Sequence, residues 1–255
     1  MGCLAVAYLS IIETLRRKEF YVVLVLIVGL AIWLHLINIS ESSAGRFAKD
    51  VIMQVVWLAS FALAVPLAAR QIPQDLESKT VYVILARPLP RWQYVLGRTI
   101  GAAGASGICL TGLFLVLAIM LCVKGGEALV DPMLWQAFAL QLVALFMLCS
   151  LAVFFSSFST TAGAVTFSFI ILCVMRYGAK SLSDMILGVS SIWQHTAWCL
   201  YLLMPHFEFF NVTQRFVHGW GPLPFWIFLY IAIYGIVYAI GLIAVCSLIF
   251  RRRWL

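Results

Sequence analysis

Residues 74–98 read QDLESKTVYVILARPLPRWQYVLGR and interrupt an otherwise apolar chain. The stretch contains six charged residues and two prolines, whereas charged residues make up only 11% of the 255-residue protein. Hydrophobic residues make up 64%, and the mean hydropathy is +1.04. A soluble domain can neither bury nor expose so much apolar surface. The composition therefore predicts an all-α integral membrane protein.

Apolar runs lie on both sides of this stretch, and each is close to or longer than the roughly 20 residues that cross a bilayer as a helix. Five runs are clear, at 20–37, 51–69, 99–123, 134–155 and 224–250. A sixth covers about 156–175 and begins with serines and threonines, which predict a tight hairpin after the preceding span. We therefore predict six transmembrane helices.

Residues 176–223 are predicted to form an extracytoplasmic segment before the last span. Their stretch 185–204 is apolar enough to cross a membrane, but it contains Gln194 and His195, and its apolar residues repeat at helical spacing. This pattern fits an interfacial or re-entrant helix better than a seventh span, because a seventh span would place the basic C-terminus RRRWL outside.

The basic residues are distributed unequally over the predicted loops. With the N-terminus inside, the inner side contains Arg16, Arg17, Lys18, Arg70, Lys79, Arg87, Arg91, Arg98, Arg251, Arg252 and Arg253. The whole net charge of +7 then falls on the inner side, as the positive-inside rule requires. Both termini and the loop between the second and third spans are therefore predicted to be cytoplasmic.

Residues 1–19 have the pattern of an amphipathic helix that lies on the inner leaflet. The apolar residues Leu4, Tyr8 and Ile11 recur at helical spacing, opposite Ser10 and Glu13. A simple membrane anchor, without a mechanical role, fits this pattern equally well.

Several classes of function lack their expected residues. The predicted spans have no Asp, Glu, Lys or Arg near their centres, which disfavours an ion-coupled carrier. HExxH and GxSxG motifs are absent, and so is the GxxxxGK[ST] motif that binds nucleotide phosphates. The spacing of His195, His206 and His218 matches no local metal-ligand pattern. We predict a protein that is not an enzyme, holds no metal and takes any energy from a partner.

The opening stretch predicts a helix, a break and a second helix. Asp75 and Glu77 are expected in the first turn of a short helix, where carboxylates complement the helix dipole. Arg87 and Pro88 end that helix, because a residue before proline is pushed out of the α region. A second helix then starts at Pro90, a position that favours proline, and continues into the third span.

This stretch resembles the membrane subunits of ABC exporters of the second type, the ABC type-2 permeases. The resemblance rests on a pattern of single residues here found at Glu77, Lys79, Thr80, Leu85, Arg87, Pro88, Arg91, Tyr94, Gly97 and Arg98. The segment YLLMPHFEFFNV, residues 201–212, is similar to one that precedes the last span in a branch of the family, although Met204 and His206 depart from that pattern.

The resemblance implies one transmembrane permease domain over residues 1–255. It implies that this chain pairs with a second copy of itself and with two cytoplasmic ATPase subunits, which bind ATP and Mg²⁺, while this chain holds no cofactor. Residues 70–98 would be the coupling segment, with the ATPase-coupling residues Asp75, Glu77, Lys79, Thr80, Arg87, Pro88, Arg91 and Tyr94. A solvated loop whose charges only fix the topology is the alternative.

Small residues and a proline complete the set of candidate positions. Gly97, Gly101 and Ala105 form a small-xxx-small series, which allows close contact between helices. Pro66, near the inner end of the second span, is either a hinge for gating or a tolerated kink.

The substrate is not encoded in a recognisable motif. Uncharged spans suit a lipidic or amphipathic cargo, and they equally suit a permease that transmits force to an extracytoplasmic partner. We expect contact with membrane lipid, no binding of nucleic acid, and a location in the cytoplasmic (inner) membrane of a bacterium. A non-transporting membrane scaffold or assembly factor is the alternative function.

The charge distribution generates a topological prediction. Single cysteines placed at Arg91 and Glu208 in a cysteine-free background should react with a membrane-impermeant thiol reagent from opposite sides of the membrane. A cysteine at Glu127 should behave like the one at Glu208. Labelling of positions 91 and 208 from the same side would contradict the six-span arrangement.

Overall fold

The computed structural model describes residues 2–16, 42–77, 90–123, 132–187 and 191–252, together with Tyr21, Val25 and Gly29. Within these residues every regular element is a helix, as the composition predicts. The α-helices are α1 (Gly2–Leu15), α2 (Ser42–Glu77), α3 (Arg91–Val123), α4 (Pro132–Ser156), α5 (Thr161–Tyr177), α6 (Ala179–Leu187), α7 (Ser191–Leu203), α8 (Thr213–His218) and α9 (Phe225–Arg252).

Four of these helices are long and apolar enough to cross a membrane, as judged by length and composition. Their apolar parts are Asp50–Glu77, Trp92–Ile119, Pro132–Ser156 and Phe225–Ile249. The predicted span 156–175 corresponds to α5, which is apolar but has only 17 residues. The predicted span 20–37 lies outside the described residues, apart from Tyr21, Val25 and Gly29. The count of six spans therefore stays a prediction.

Helix α4 forms the centre of the core, because it is apolar on all sides and packs against α2, α3, α5 and α9. Leu140, Ala144 and Leu148 are completely buried. Its one buried amide, Gln141, donates through Nε2 to Ser60 Oγ of α2 at 2.8 Å. A four-residue connection joins α4 to α5, and Thr160 caps α5 by accepting a hydrogen bond from Gly163 N.

Helix α1 packs alongside α3 through a row of glycines. A Cβ atom on Gly97 would lie 2.9 Å from the Cβ of Val6, one on Gly104 would lie 3.0 Å from Ile11 Cδ1, and one on Gly101 would overlap with Ser10. Because the contacts advance along both helices together, α1 runs beside α3 in the same direction.

The orientation of α1 differs in part from its sequence pattern. The apolar residues Leu4 and Tyr8 are exposed, but Ser10, which the pattern assigns to the polar face, is completely buried. The side chains of Val6, Ser10 and Ile11 are the ones that lie against the glycines of α3, so close packing decides which side of α1 turns inward.

The position of Asp75 and Glu77 corrects the predicted short helix. Both residues lie in the last turn of α2, not in the first turn of a separate helix, because α2 runs without interruption through Pro66 and Pro73. A carboxylate at a helix C-terminus opposes the helix dipole. Asp75 is therefore in an unfavourable position unless a cation lies beside it, and Arg98 of α3 supplies that cation. Whether Pro66 acts as a hinge stays a prediction.

The part of the chain between α5 and α9 forms short helices. Besides α6, α7 and α8, this part contains a 3-10 helix, Phe207–Phe210. Hydrogen bonds connect the segment between α5 and α9 to the long helices. Tyr238 Oη of α9 donates to Leu203 O at 2.8 Å, and Leu223 N donates to Gln136 Oε1 of α4 at 2.7 Å. The predicted interfacial or re-entrant role of 185–204 stays a prediction.

The contact between α1 and α3 generates a prediction about stability. Gly101→Ala should lower the thermal unfolding midpoint, because the new methyl group overlaps with Ser10 and α1 must move; overpacking of this kind costs about 1–3 kcal/mol. Gly112→Ala on the same helix is the matched control, since its Cβ would meet no atom within 4 Å. Equal midpoints for the two variants would contradict the packing of α1 on α3.

Candidate functional site

The ends of α2 and α3 meet beside residues 78–89, the part of the predicted coupling segment that lies outside the described residues. The last turns of α2 and the first turns of α3 carry a group of polar side chains that face each other, and α1 packs against the same place. We call this group the Arg98 cluster. Its members are Ser10, Glu13, Gln71, Asp75, Tyr94 and Arg98.

Arg98 is the centre of the cluster, and its side chain is only 2% exposed. Its Nη2 forms an ion pair with Asp75 Oδ1. Its Nη1 donates to Gln71 Oε1 at 3.0 Å and to Glu13 Oε2 at 3.3 Å. One guanidinium thus joins the C-terminal end of α2 to the C-terminal half of α1, while it is itself part of α3.

Asp75 has a second partner on α3, because the hydroxyl of Tyr94 donates to its Oδ2. Tyr94 is completely buried, and Asp75 is nearly so. Both carboxylate oxygens are therefore engaged by α3, from two side chains one helical turn apart. This double contact fixes the last turn of α2 to the first turns of α3.

Gln71 and Ser10 extend the cluster to α1. Ser10 Oγ donates to Gln71 Oε1 at 2.8 Å, so the amide oxygen of Gln71 accepts one hydrogen bond from α1 and one from α3. Glu13 is partly exposed, with 40% of its side chain accessible. The cluster is thus buried at Asp75 and Arg98 and reaches the surface at Glu13.

Burial makes each member of the cluster depend on the others. Taking a charge out of water is costly, and an ion pair offsets this cost only when its geometry and hydrogen bonds are good. Removal of one partner leaves the other charge buried and uncompensated, which costs about 3–5 kcal/mol. The cluster therefore holds the ends of α1, α2 and α3 in one arrangement.

The structure describes four of the eight predicted ATPase-coupling residues. Asp75 and Tyr94 lie inside the cluster, and Glu77 is exposed at the end of α2. Arg91 is the first residue of α3. Lys79, Thr80, Arg87 and Pro88 lie outside the described residues. Contact of any of them with an ATPase stays a prediction.

The predicted helix-packing residues lie on α3 directly beyond the cluster. Gly97 and Gly101 contact α1, and Ala105 is completely buried. Gly104, which sequence reasoning did not select, contributes a third glycine contact with α1.

Sequence reasoning did not identify the cluster itself. Gln71 and Asp75 are four residues apart on α2, and Tyr94 and Arg98 are four residues apart on α3, so each pair lies on one face of its helix. One polar pair before the proline-rich break and one after it were the sequence signal that could have predicted the cluster. The partnership with Ser10 and Glu13 had no comparable signal, because they are more than 50 residues away in the chain.

Potential metal ligands and a buried histidine lie elsewhere in the molecule. Among the residues that the structure describes, no three His, Cys, Asp or Glu side chains lie together as metal ligands. His206 is buried between Tyr201 and Phe209, and its backbone N donates to Tyr234 Oη at 3.1 Å. Burial lowers the pKa of this histidine, because it disfavours the charged imidazolium.

The arrangement of the cluster suits mechanical connection and not bond chemistry. Its side chains bond mainly to one another and hold three helices together, although Arg98 Nε has no hydrogen-bond partner among the described residues and Glu13 and Gln71 line a small pocket.

Comparison with known proteins agrees with this picture. A search for similar curated proteins finds no match. The family model described as ABC-2 family transporter protein matches residues 5–253, which is nearly the whole chain and includes every member of the Arg98 cluster. The chain therefore belongs to the ABC-2 family of transporter proteins.

Proposed function

We propose that this protein is the permease subunit of an ABC transporter and that a separate cytoplasmic ATPase energises it. Membership of the ABC-2 family supports the role of membrane subunit in such a transporter. The sequence contains no P-loop of its own, so ATP and Mg²⁺ would bind to the partner ATPase. Two ATPase subunits and two copies of this chain would make up the complex.

The Arg98 cluster is the observation that carries this proposal. It joins α1, α2 and α3 next to residues 78–89, where the ATPase would dock. A force applied to that connection would therefore move three helices as one unit. Asp75 and Tyr94 would act as positioning residues inside the Arg98 cluster, whereas the exposed Glu77 is available to contact the ATPase.

The dimensions of the two long helices fit this arrangement. At 1.5 Å per residue, the 36 residues of α2 and the 33 residues of α3 are about 54 and 50 Å long. The hydrocarbon core of a bilayer is about 30 Å thick. Both helices are long enough to cross the bilayer and extend beyond it, and the positive-inside rule places the end with the Arg98 cluster in the cytoplasm.

The cargo and the second copy are further parts of the proposal. Helix α9 has the smallest buried share of the four candidate spans, and it exposes Trp226, Tyr230 and Val237. Lipid or a second copy of the chain would cover these residues. Spans of this apolar character suit export of a lipidic or amphipathic substrate, or transmission of force to an extracytoplasmic partner. A non-transporting scaffold would form the same fold without changing the activity of an ATPase.

Glu77→Lys tests the exposed C-terminal end of α2. The substitution should weaken ATPase binding and lower the permease-stimulated rate of ATP hydrolysis, because it reverses a charge at the docking surface. It should not destabilise α2, since a cation at a helix C-terminus is favourable by about 0.3–1 kcal/mol. The measurement compares ATP hydrolysis of the ATPase encoded by a neighbouring gene, with and without the permease in lipid nanodiscs.

Asp184→Lys is the matched control for Glu77→Lys, because it reverses the charge of an exposed carboxylate on α6, outside the contact between α2 and α3. It should keep most of the stimulation. Full stimulation of ATP hydrolysis in Glu77→Lys would count against docking at this end. Lack of any stimulation by the unaltered permease would favour the scaffold.

Asp75→Asn tests the buried part of the cluster. It should lower stability by about 3 kcal/mol or more, because Arg98 loses the nearer of its two carboxylates. Tyr94→Phe should cost less, about 1.5–3 kcal/mol, the contribution of one hydrogen bond to a charged group. Thermal unfolding midpoints in detergent measure both effects, and stimulation of ATP hydrolysis should fall in the same order.

The double variant Asp75→Leu with Arg98→Met tests whether the cluster acts through its charges or through the rigid contact between helices. Apolar side chains of similar volume often replace a buried ion pair without loss of stability. We expect the double variant to recover most of the stability that Asp75→Asn loses, and stimulation to recover with it. An Asp75→Asn protein as stable and as stimulating as the original would refute the role of the cluster.

A further inference from the structure

A second arginine, Arg176 in the last turn of α5, is buried in different surroundings. Its exposed fraction is 7%, and two of its nitrogens, Nε and Nη2, have no hydrogen-bond partner among the residues that the structure describes. Buried guanidinium groups are normally paired with carboxylates or carbonyl oxygens. Arg176 therefore has unused hydrogen-bonding capacity where such capacity is costly.

The guanidinium of Arg176 lies between aromatic rings. Its Cζ is 4.4 Å from the centre of the Trp57 ring on α2 and 5.4 Å from that of the Tyr177 ring. Trp57 is itself 4% exposed, and its indole Nε1 also has no partner among the described residues. Three nitrogens that can only donate are thus assembled at the contact between α2 and α5.

Stacking on aromatic rings does not satisfy these donors. The ring faces attract the guanidinium as a cation, but its N–H groups point outward in its own plane and still need acceptors. Glu208 is close enough to act on Arg176 electrostatically, yet Nε and Nη2 form no hydrogen bond with it. A positive group with only donors recognises anionic oxygens best, and arginine binds phosphate through its planar fork.

An apolar surface leads along α5 to this group. Phe167, Ile170, Val174 and Tyr177 are all exposed, and their spacing places them on one face of the helix. Tyr177 ends this row and contacts the Arg176 guanidinium. A molecule that has both an apolar chain and an anionic head can therefore contact the row and the guanidinium together.

We propose that Arg176 and Trp57 form a binding site for the phosphate group of an anionic lipid, whose acyl chain lies along the exposed face of α5. The remaining exposed edge of Arg176 is the entrance, and the side chain turns its free donors toward the phosphate oxygens. Inorganic phosphate shares the same recognition chemistry but lacks the chain. The inference does not depend on coupling to an ATPase.

Native mass spectrometry of the full-length protein in detergent tests the site, with phosphatidylglycerol, diacylglycerol and inorganic phosphate as probes. We expect phosphatidylglycerol to bind at least tenfold more tightly than diacylglycerol, which is about 1.4 kcal/mol. Arg176→Gln should lose this preference. Arg176→Lys should keep part of it, since lysine retains the charge but not the fork.

Trp57→Phe is the second variant, because it keeps an aromatic ring beneath Arg176 and removes only the indole donor. It should weaken phosphatidylglycerol binding severalfold without removing the preference. Arg215→Gln, which removes a positive charge from α8, is the control and should bind phosphatidylglycerol like the original protein.

Three results would overturn the proposal. One is unchanged phosphatidylglycerol binding in both Arg176→Gln and Trp57→Phe. Another is an equal loss of binding in Arg215→Gln, which would indicate attraction to net charge alone. The third is displacement of phosphatidylglycerol by inorganic phosphate at equal concentration, which would show that the chain contributes nothing and that the ligand is a free anion.

Discussion

The ion pair between Arg98 and Asp75 is the contact on which the arrangement of the first three described helices depends. Both side chains are buried, so neither charge can be left alone without a cost of several kcal/mol. The pair also explains why α2 ends as it does, since Asp75 at a helix C-terminus needs a nearby cation. A displacement of either helix end would break hydrogen bonds between the three helices, so the end of α2 and the start of α3 are held in one arrangement.

Close packing of α1 on α3 brings Glu13 to the Arg98 side chain. Glycines at positions 97, 101 and 104 of α3 let the backbone of α1 approach, and at this separation the Arg98 side chain reaches Glu13. The small residues and the polar cluster therefore both hold α1 against α3. The exposed Leu4 and Tyr8 on the opposite side of α1 are suited to contact with lipid.

Among the described residues, the two buried arginines have different surroundings. Both terminal nitrogens of Arg98 have acceptors from α1 or α2, and only its Nε lacks one among the described residues, whereas Arg176 is stacked on the ring of Trp57 and both its Nε and its Nη2 lack acceptors there. Gln71 and Trp57 are 14 residues apart on α2, so the two arginines contact this helix at points about 20 Å apart along its axis. The first is paired with carboxylates of the protein itself, and the second is the proposed site for an anionic lipid.

The sequence by itself determined the fold class, the apolar character of the four long helices, the continuous helix from Arg91 into the membrane, and the family. These follow from composition, from runs of apolar residues and from a local motif, all of which are properties of neighbouring residues in the chain. Only the tertiary structure decided that α2 continues through Pro73 to Glu77, that Ser10 turns inward, and that Asp75 pairs with Arg98. Local rules favour a helix start at Asp75 and a polar surface at Ser10. Contacts with a distant helix outweigh those preferences, because an ion pair, a row of glycines and close packing are worth more than a dipole term of less than about 1 kcal/mol.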